Sequence, residues 1–170
     1  MDAFIVDGAK QTFADMIISK KVSGKTCSVA SWGFGVRQVE RLISAFDQLL
    51  LVADASHSQL NKTAYRSVVK MSEKLDYFTF RPARTHVKLA LIDDEIIIFT
   101  SANLSANRRL ESYIIGHFCE INGIDEIKRM FDNPGAAYRK RWHAELTDIG
   151  IEQIDIDIGF MDMDFESFDL

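Results

Sequence analysis

The fold is decided by residues 86–103, which read HVKLALIDDEIIIFTSAN. Residues 86–92 alternate in polarity, which is typical of a strand that has one face in a core. Residues 96–99 form a continuous run of β-branched and aromatic side chains, which favours a buried strand. An acidic turn separates the two runs, so the stretch predicts a β-hairpin.

The register of this hairpin determines which of its polar side chains meet. If the loop consists of residues 94–95, Lys88 lies opposite Ser101 and His86 lies opposite Asn103. Side chains two apart on a strand share a face, so this register gathers the four polar residues in one patch. A shift of one residue would turn Ser101 and Asn103 to the other face. We therefore predict the two-residue loop.

The predicted patch suits the chemistry of phosphate esters. A neutral imidazole can attack phosphorus, and a charged imidazole can protonate a leaving oxygen. The ammonium group of Lys88 supplies compact positive charge for the non-bridging oxygens, and a hydroxyl and an amide can donate hydrogen bonds to them. No cluster of carboxylates accompanies His86, so the sequence predicts neither a metal nor another cofactor.

These residues resemble the HKD signature of the phospholipase D superfamily, H-x-K-x4-D followed by G-S-x-N. Five signature positions match at the expected spacing within 18 residues: His86, Lys88, Asp93, Ser101 and Asn103. The resemblance implies a phospholipase D-like fold and a metal-independent phosphodiesterase whose active site unites two such motifs. It further implies that the histidine of one motif becomes a phosphohistidine, while the histidine of the other motif serves as general acid.

Two positions depart from the family pattern. Thr100 stands where the family usually has glycine, so the backbone is less free to approach a phosphate closely. The family commonly has a glutamate after the asparagine, which can orient the nucleophilic histidine. Glu111 is the best candidate for that role, although its distance along the chain from Asn103 is shorter than the family pattern. Asp93 is expected to brace the turn rather than to touch substrate.

The whole chain has the size and composition of one folded domain. Its 170 residues are 47% hydrophobic, which supports a proper core. It has no apolar run of twenty residues and no signal peptide at its start, so we expect a soluble, cytoplasmic protein without membrane contact. Cys27 and Cys119 lie in apolar, strand-like segments and are expected to be buried thiols.

Charge is distributed unevenly along the chain. Residues 147–170 contain eight acidic side chains and no Lys or Arg, whereas the net charge of the whole chain is −5. Residues 1–146 therefore sum to +3. We predict a phospholipase D-like catalytic domain over residues 1–146 and an acidic tail over residues 147–170. The tail is either a solvated end or a ligand for a basic surface, on a protein partner or over the enzyme's own cleft.

Strands and helices alternate before the hairpin, which predicts an α/β fold with a mixed β-sheet flanked by helices. The predicted strands are 26–32, 48–53, 76–80, 86–92, 96–99 and 112–120. The predicted helices are 8–21, 36–46, 59–74, 125–131 and 136–146.

The sequence contains one HKD-like motif and no internal repeat, so a site that needs two motifs predicts a homodimer. Arg84, Arg108 and Arg109 flank the motif and are expected to bind substrate phosphates. These arginines and the small single-motif chain favour nucleic acid over lipid, and DNA over RNA. We therefore expect an endonuclease that cleaves DNA.

Two alternatives remain open at the level of sequence. A phospholipid-directed phosphodiesterase would need an exposed apolar surface near the site, and Phe34 is the one residue that offers it. A catalytically degenerate member would bind nucleic acid or a protein partner without cleaving, and Thr100 and the short distance to Glu111 are the arguments for it.

Overall fold

The computed structural model describes residues 1–53, 62–83, 85–106 and 108–132. The predicted helix over residues 136–146, the tail over residues 147–170 and the boundary between domain and tail lie outside these ranges. No helix within them is long and apolar enough to cross a bilayer.

Seven strands and four α-helices follow one another along the described chain. The strands are β1 (Asp2–Asp7), β2 (Thr26–Ser31), β3 (Gln48–Ala53), β4 (Phe78–Pro82), β5 (Leu89–Ile92), β6 (Ile96–Thr100) and β7 (Leu110–His117). The helices are α1 (Phe13–Ser19), α2 (Val36–Ile43), α3 (Lys62–Lys74) and α4 (Ile124–Asp132), with a 3-10 turn at Phe118–Glu120 between β7 and α4.

The strands form one mixed sheet in the order β1-β7-β6-β5-β2-β3-β4. Strands β2, β3 and β4 are parallel, because α2 and α3 return the chain to the same end of the sheet each time. Strand β5 is antiparallel to β2, and β6, β7 and β1 continue in alternating directions. The predicted α/β fold with a mixed sheet is therefore confirmed.

Both faces of the sheet are covered by helices. The larger core lies under α1, α2 and α3, where Phe13, Leu42 and Val68 pack against strand residues such as Val29 and Ile98. The smaller core lies under α4, whose Phe131 is 2% exposed and packs with Leu91 and Ile97. Strands β5 and β6 are buried from both sides, which explains why their sequences are almost continuously apolar.

Several boundaries differ from the predicted ones because of local capping. Helix α1 begins at Phe13 rather than near residue 8, since the Thr12 hydroxyl accepts a hydrogen bond from the Asp15 backbone and the Asp15 carboxylate accepts one from the Thr12 backbone. Strand β7 ends at His117, and the following 3-10 turn carries Cys119 to the surface. The expectation that Cys119 is buried was wrong, whereas Cys27 is buried.

The predicted hairpin register was also wrong by one residue. Ile92, not Asp93, lies opposite Ile96, so the loop contains the three residues 93–95. Asp93 and Asp94 both adopt φ of 53°, and the Glu95 N–H donates to the Ile92 carbonyl at 3.0 Å, as in a type I′ turn. Aspartate tolerates this left-handed conformation better than most residues.

Candidate active site

Four chain segments meet at one end of the sheet. The carboxyl end of β2 lies beside the start of β5, because Ala30 pairs with Leu89. The end of β6 lies beside the same point, since Leu89 also pairs with Phe99, and β7 begins next to it. Residues 85–88, which precede β5, therefore stand beside the residues that follow β2 and β6.

A cavity of about 870 Å³ opens at this end of the sheet. Seven of the predicted site residues line it: His86, Lys88, Ser101, Asn103, Arg108, Arg109 and Glu111. Of the other two predicted residues, Arg84 lies outside the described residues, and Asp93 lies at the opposite end of β5.

The four motif side chains line the same cavity although the predicted register was wrong. Lys88 lies opposite Thr100, since the Thr100 N–H donates to the Lys88 carbonyl at 3.1 Å. The chain then leaves the strand, because the Thr100 hydroxyl donates to the Ser112 carbonyl at 2.8 Å and accepts from the Ala102 N–H at 3.0 Å. Beyond this bend, side chains no longer alternate strictly between the two faces of the sheet. Ser101 and Asn103 can therefore both line the cavity.

His86 is exposed at the mouth of the cavity and stacks on Trp32. The two ring centroids are 5.0 Å apart and the ring planes differ by 30°. The Lys88 ammonium lies 6.0 Å from the centroid of the same indole and donates to the His86 carbonyl at 3.2 Å. Trp32 was not among the predicted site residues. Its place directly after a buried strand, at the Gly33-x-Gly35 turn, is the sequence signal that could have indicated it.

Ser101 and Glu111, which line the same cavity as His86, form a hydrogen-bonded pair. The Ser101 hydroxyl donates to the Glu111 carboxylate and accepts from the Ser112 N–H at 3.0 Å. Glu111 is 7% exposed whereas Ser101 is exposed, so this hydrogen bond is partly buried. A hydroxyl has one hydrogen to donate, and here the Glu111 carboxylate accepts that hydrogen bond. The phosphate-binding role expected for Ser101 remains a prediction.

Asn103 is held by the turn that follows β2. The Ser31 hydroxyl accepts from the Leu104 N–H at 2.9 Å, and the Gly35 N–H donates to the Leu104 carbonyl at 2.7 Å. Within the described part of the chain, the buried Oδ1 atom of Asn103 has no hydrogen-bond partner. A buried unpaired acceptor costs about 1–3 kcal/mol, which is easier to explain in a binding site than in a structural core.

The arginines near the motif divide into two kinds. Arg108 and Arg109 are exposed and line the cavity. Arg81, although close in sequence, points elsewhere: its Nη1 atom donates to the carbonyls of Phe131 and Asp132 at 2.6 and 2.9 Å. Arg81 therefore caps the end of α4 and stabilises the second core.

Phe34 is 6% exposed and packs edge-on against Phe80, with ring centroids 5.6 Å apart. The exposed apolar surface that a lipid-directed site would need is therefore not provided by Phe34.

Asp93 fastens the far end of the hairpin to the rest of the sheet. Its two carboxylate oxygens accept hydrogen bonds from five backbone N–H groups, those of residues 22–26, at 2.8–3.1 Å. Partial burial alone would raise the pKa of the Asp93 carboxyl. The backbone donors at Gly24, Thr26 and Ser23 outweigh burial and hold that pKa well below its usual range.

A metal centre would need several ligating side chains close together. Within residues 1–53, 62–83, 85–106 and 108–132, no group of three or more His, Cys, Asp or Glu side chains is arranged to hold a metal ion. Metal independence remains a prediction, to be tested with chelators.

Comparison with solved structures gives several matches of probability 1.00. NucT from Helicobacter pylori superposes with a TM-score of 0.58 at 18% identity, over 78% of this chain and 94% of that one. Nuc from Salmonella typhimurium, described as a phospholipase D family member, gives a TM-score of 0.52 at 11% identity, over 67% of this chain and 81% of that one. The chain therefore has the phospholipase D fold.

A third match is to TrmBL2, described as an archaeal chromatin protein with a novel mode of DNA binding. It gives a TM-score of 0.51 at 15% identity, over 78% of this chain but only 52% of that one. No family model matches the sequence, and no curated protein matches it. The fold that the HKD-like motif implied is thus confirmed by structure, at identities too low for sequence comparison to find.

Proposed function

We propose that this protein is a metal-independent phosphodiesterase that cleaves DNA through a phosphohistidine, with one active site assembled from two subunits. The observation that carries the proposal is the convergence of His86, Lys88, Ser101 and Asn103 on one cavity in a phospholipase D fold. The likeness to NucT, to Nuc and to the chromatin protein TrmBL2, which is described as binding DNA, supports nucleic acid as substrate.

The first chemical step is an in-line displacement at phosphorus. A neutral imidazole nitrogen of His86 attacks, an N–P bond forms and the P–O bond to the leaving nucleoside oxygen breaks. His86 of the partner subunit, in its charged form, gives a proton to that oxygen. In the second step water attacks phosphorus, the now neutral partner histidine takes the water's proton, and the N–P bond breaks. Both histidines return to their starting forms.

Charge in the transition state is met by the side chains around the cavity. The Lys88 ammonium and the Asn103 amide supply positive charge and donors for the non-bridging oxygens. Arg108 and Arg109, exposed at the rim, neutralise neighbouring backbone phosphates, so binding should weaken steeply as salt is raised.

The test is hydrolysis of a chromogenic phosphodiester and nicking of plasmid DNA, both in excess EDTA. Activity should persist in EDTA and fall by several orders of magnitude in His86→Ala, which removes nucleophile and acid together. Activity that vanishes on chelation and returns with magnesium or manganese would refute the mechanism. A His86→Ala variant with more than about a tenth of normal activity would show that another residue carries the reaction.

The shared site can be tested by mixing subunits. If one dimer holds one site, a mixed dimer of wild type and His86→Ala lacks either nucleophile or acid. After random exchange in an equimolar mixture, activity per wild-type subunit should fall to about half. Mixing with Asp94→Asn, a change at the exposed turn away from the cavity, is the matched control. Unchanged activity per wild-type subunit after demonstrated exchange would exclude a shared site.

The second candidate function is DNA binding without cleavage. It is favoured by the likeness to the archaeal chromatin protein and by the Ser101–Glu111 pair, which occupies the carboxylate expected to orient the histidine. Wild-type protein that binds DNA in a salt-dependent manner but nicks it no faster than His86→Ala would establish this function instead.

A further inference from the structure

Among the residues that the structure describes, the imidazole of His86 has no hydrogen-bonded partner of the kind that usually orients a reactive histidine. Such histidines are commonly held by a hydrogen bond from one ring nitrogen to a carboxylate or carbonyl. Within the described residues, no hydrogen bond joins either imidazole nitrogen to another group. Glu111, the carboxylate expected in this role, instead accepts the Ser101 hydroxyl. The contact that the structure gives the imidazole is the face of Trp32, at a centroid distance of 5.0 Å.

Trp32 is well placed to hold another ring, because its own backbone is fixed. Ser31, directly before it, is 0% exposed, and its hydroxyl donates to the Gly33 carbonyl at 2.7 Å. The same hydroxyl accepts from the Leu104 N–H at 2.9 Å, which ties the turn after β2 to the segment after Asn103. The indole therefore stands on a part of the molecule that is hydrogen-bonded on both sides.

The indole face is also suited to the charge changes of the reaction. An aromatic face attracts cations, and the effect is strongest for tryptophan. The imidazole lies on the Trp32 ring, and the Lys88 ammonium lies 6.0 Å from its centroid. The Trp32 indole therefore lies next to the His86 imidazole, which changes charge during the proposed reaction. It also lies next to the ammonium group of Lys88. Among the described residues, Glu111, Arg108 and Arg109 are the other charged groups that line this cavity.

We infer that Trp32 is a positioning residue for His86, and that its indole takes the place of an orienting carboxylate. This inference rests on the proposed function. Stacking fixes the plane of the imidazole, so that its ring edge, which carries both nitrogens, is directed consistently relative to the bound phosphate. A displacement of about 1 Å at a reacting group can cost on the order of 10²-fold in rate. Loss of the stack should therefore lower kcat more than it raises KM.

The kinetic experiment compares Trp32→Leu with Trp32→Phe on a chromogenic phosphodiester in EDTA. Leucine fills part of the space but offers no aromatic face, whereas phenylalanine keeps one. Trp32→Leu should lose about 10²-fold in kcat with KM within a few-fold of normal, and Trp32→Phe should stay within a few-fold in both. Glu111→Gln should lose less in kcat than Trp32→Leu. Thermal unfolding of each variant separates misplacement of His86 from loss of the fold.

A spectroscopic experiment tests the stack without changing Trp32. The chain has two tryptophans, so Trp142→Phe leaves Trp32 as the only indole emitter. A protonated imidazole stacked on an indole quenches its fluorescence, and His86→Ala in this background should therefore raise the emission measured at acidic pH. Unchanged emission would overturn the stack, whatever the kinetics of the Trp32 variants.

The outcomes distinguish this inference from the proposed function. If His86→Ala abolishes activity while Trp32→Leu keeps normal kcat, the positioning role is wrong and the phosphodiesterase stands. If Trp32→Leu raises KM and leaves kcat unchanged, Trp32 contacts substrate and does not position His86, which also overturns the inference. If His86→Ala retains activity, the proposed function fails and the positioning role fails with it.

Discussion

Asp93 offers the sharpest test of how this hairpin is held in place. Asparagine has the same shape as aspartate and also tolerates the φ of 53° found there, so Asp93→Asn changes the acceptors and little else. One carboxylate oxygen accepts from the Val22, Ser23 and Gly24 N–H groups, and the other accepts from residues 25–26. An amide has one acceptor oxygen, so at least two of these hydrogen bonds are lost.

The expected fall in the free energy of unfolding follows from the loss of those two hydrogen bonds. A hydrogen bond to a charged acceptor contributes about 1.5–3 kcal/mol, so the loss of two should lower the free energy of unfolding by about 3 kcal/mol or more. For a chain of this size, that corresponds to a fall in Tm of about 6–12 °C. Asp94→Asn is the matched control, because Asp94 has the same φ of 53° and, among the described residues, forms an ion pair only with Lys128, at 3.2 Å on the surface. Such exposed pairs contribute about 0–1 kcal/mol.

The effect should also depend on pH in a defined direction. The pKa of Asp93 is lower in the folded than in the unfolded protein, where it is about 3.9. The carboxylate therefore stabilises the fold fully above that unfolded value, and the contribution is lost as pH falls through the folded pKa. The difference between wild type and Asp93→Asn should be constant from about pH 5 to 8 and shrink below about pH 4.

Urea unfolding of the three proteins, followed by circular dichroism at several pH values, measures these differences. Equal stabilities of Asp93→Asn and Asp94→Asn near neutral pH would refute the account of the Asp93 carboxylate. Below its unfolding transition, Asp93→Asn should retain most of the kcat of the wild type, because Asp93 does not line the cavity. Loss of kcat in folded Asp93→Asn would instead assign Asp93 a part in the reaction.

Three further outcomes are expected. Thr100→Val removes both hydrogen bonds that form the bend and should lower activity about tenfold or more, whereas Thr100→Ser should keep it. Equal activities of the two variants would contradict a role for the hydroxyl. Cys119 should react with a thiol reagent in the folded protein and Cys27 only on unfolding, since burial raises the pKa of the Cys27 thiol; two fast-reacting thiols would be inconsistent with the core. A chain truncated after Gly159 loses four acidic side chains and should bind DNA more tightly than the full-length chain at low salt. Equal affinities would show that the tail does not compete with DNA for the cleft.

Much of the fold could be predicted because its signals are local. Strand β3 was predicted at its observed bounds, since a buried parallel strand is a continuous apolar run with clear ends. Helix α2 was predicted from one apolar stripe and begins, as expected, after the Gly33-x-Gly35 turn. The motif residues could be grouped from the sequence because their spacing lies within a single hairpin, and they line one cavity. In each case the deciding residues are close together in sequence.

What could not be predicted depends on contacts between distant segments. Glu111 accepts from Ser101, which precedes β7, and His86 stacks on Trp32, which is more than fifty residues away in sequence. No local pattern selects these pairs. Cys119 was misplaced because a strand-like sequence gave way to a 3-10 turn, in which Phe118 keeps its place in the core and the next residue points to solvent.

The hairpin register shows how a correct grouping can follow from a wrong geometry. The two-residue loop was chosen because it gathered four polar side chains, but the three-residue loop is fixed at the other end of the hairpin, where Asp93 must reach the N–H groups before β2. That register alone would turn Ser101 away from Lys88. The Thr100 hydroxyl ends the strand and bends the chain, which keeps Ser101 at the cavity. The residue that departs from the family glycine therefore supplies the hydrogen bonds that allow the motif to converge in this chain.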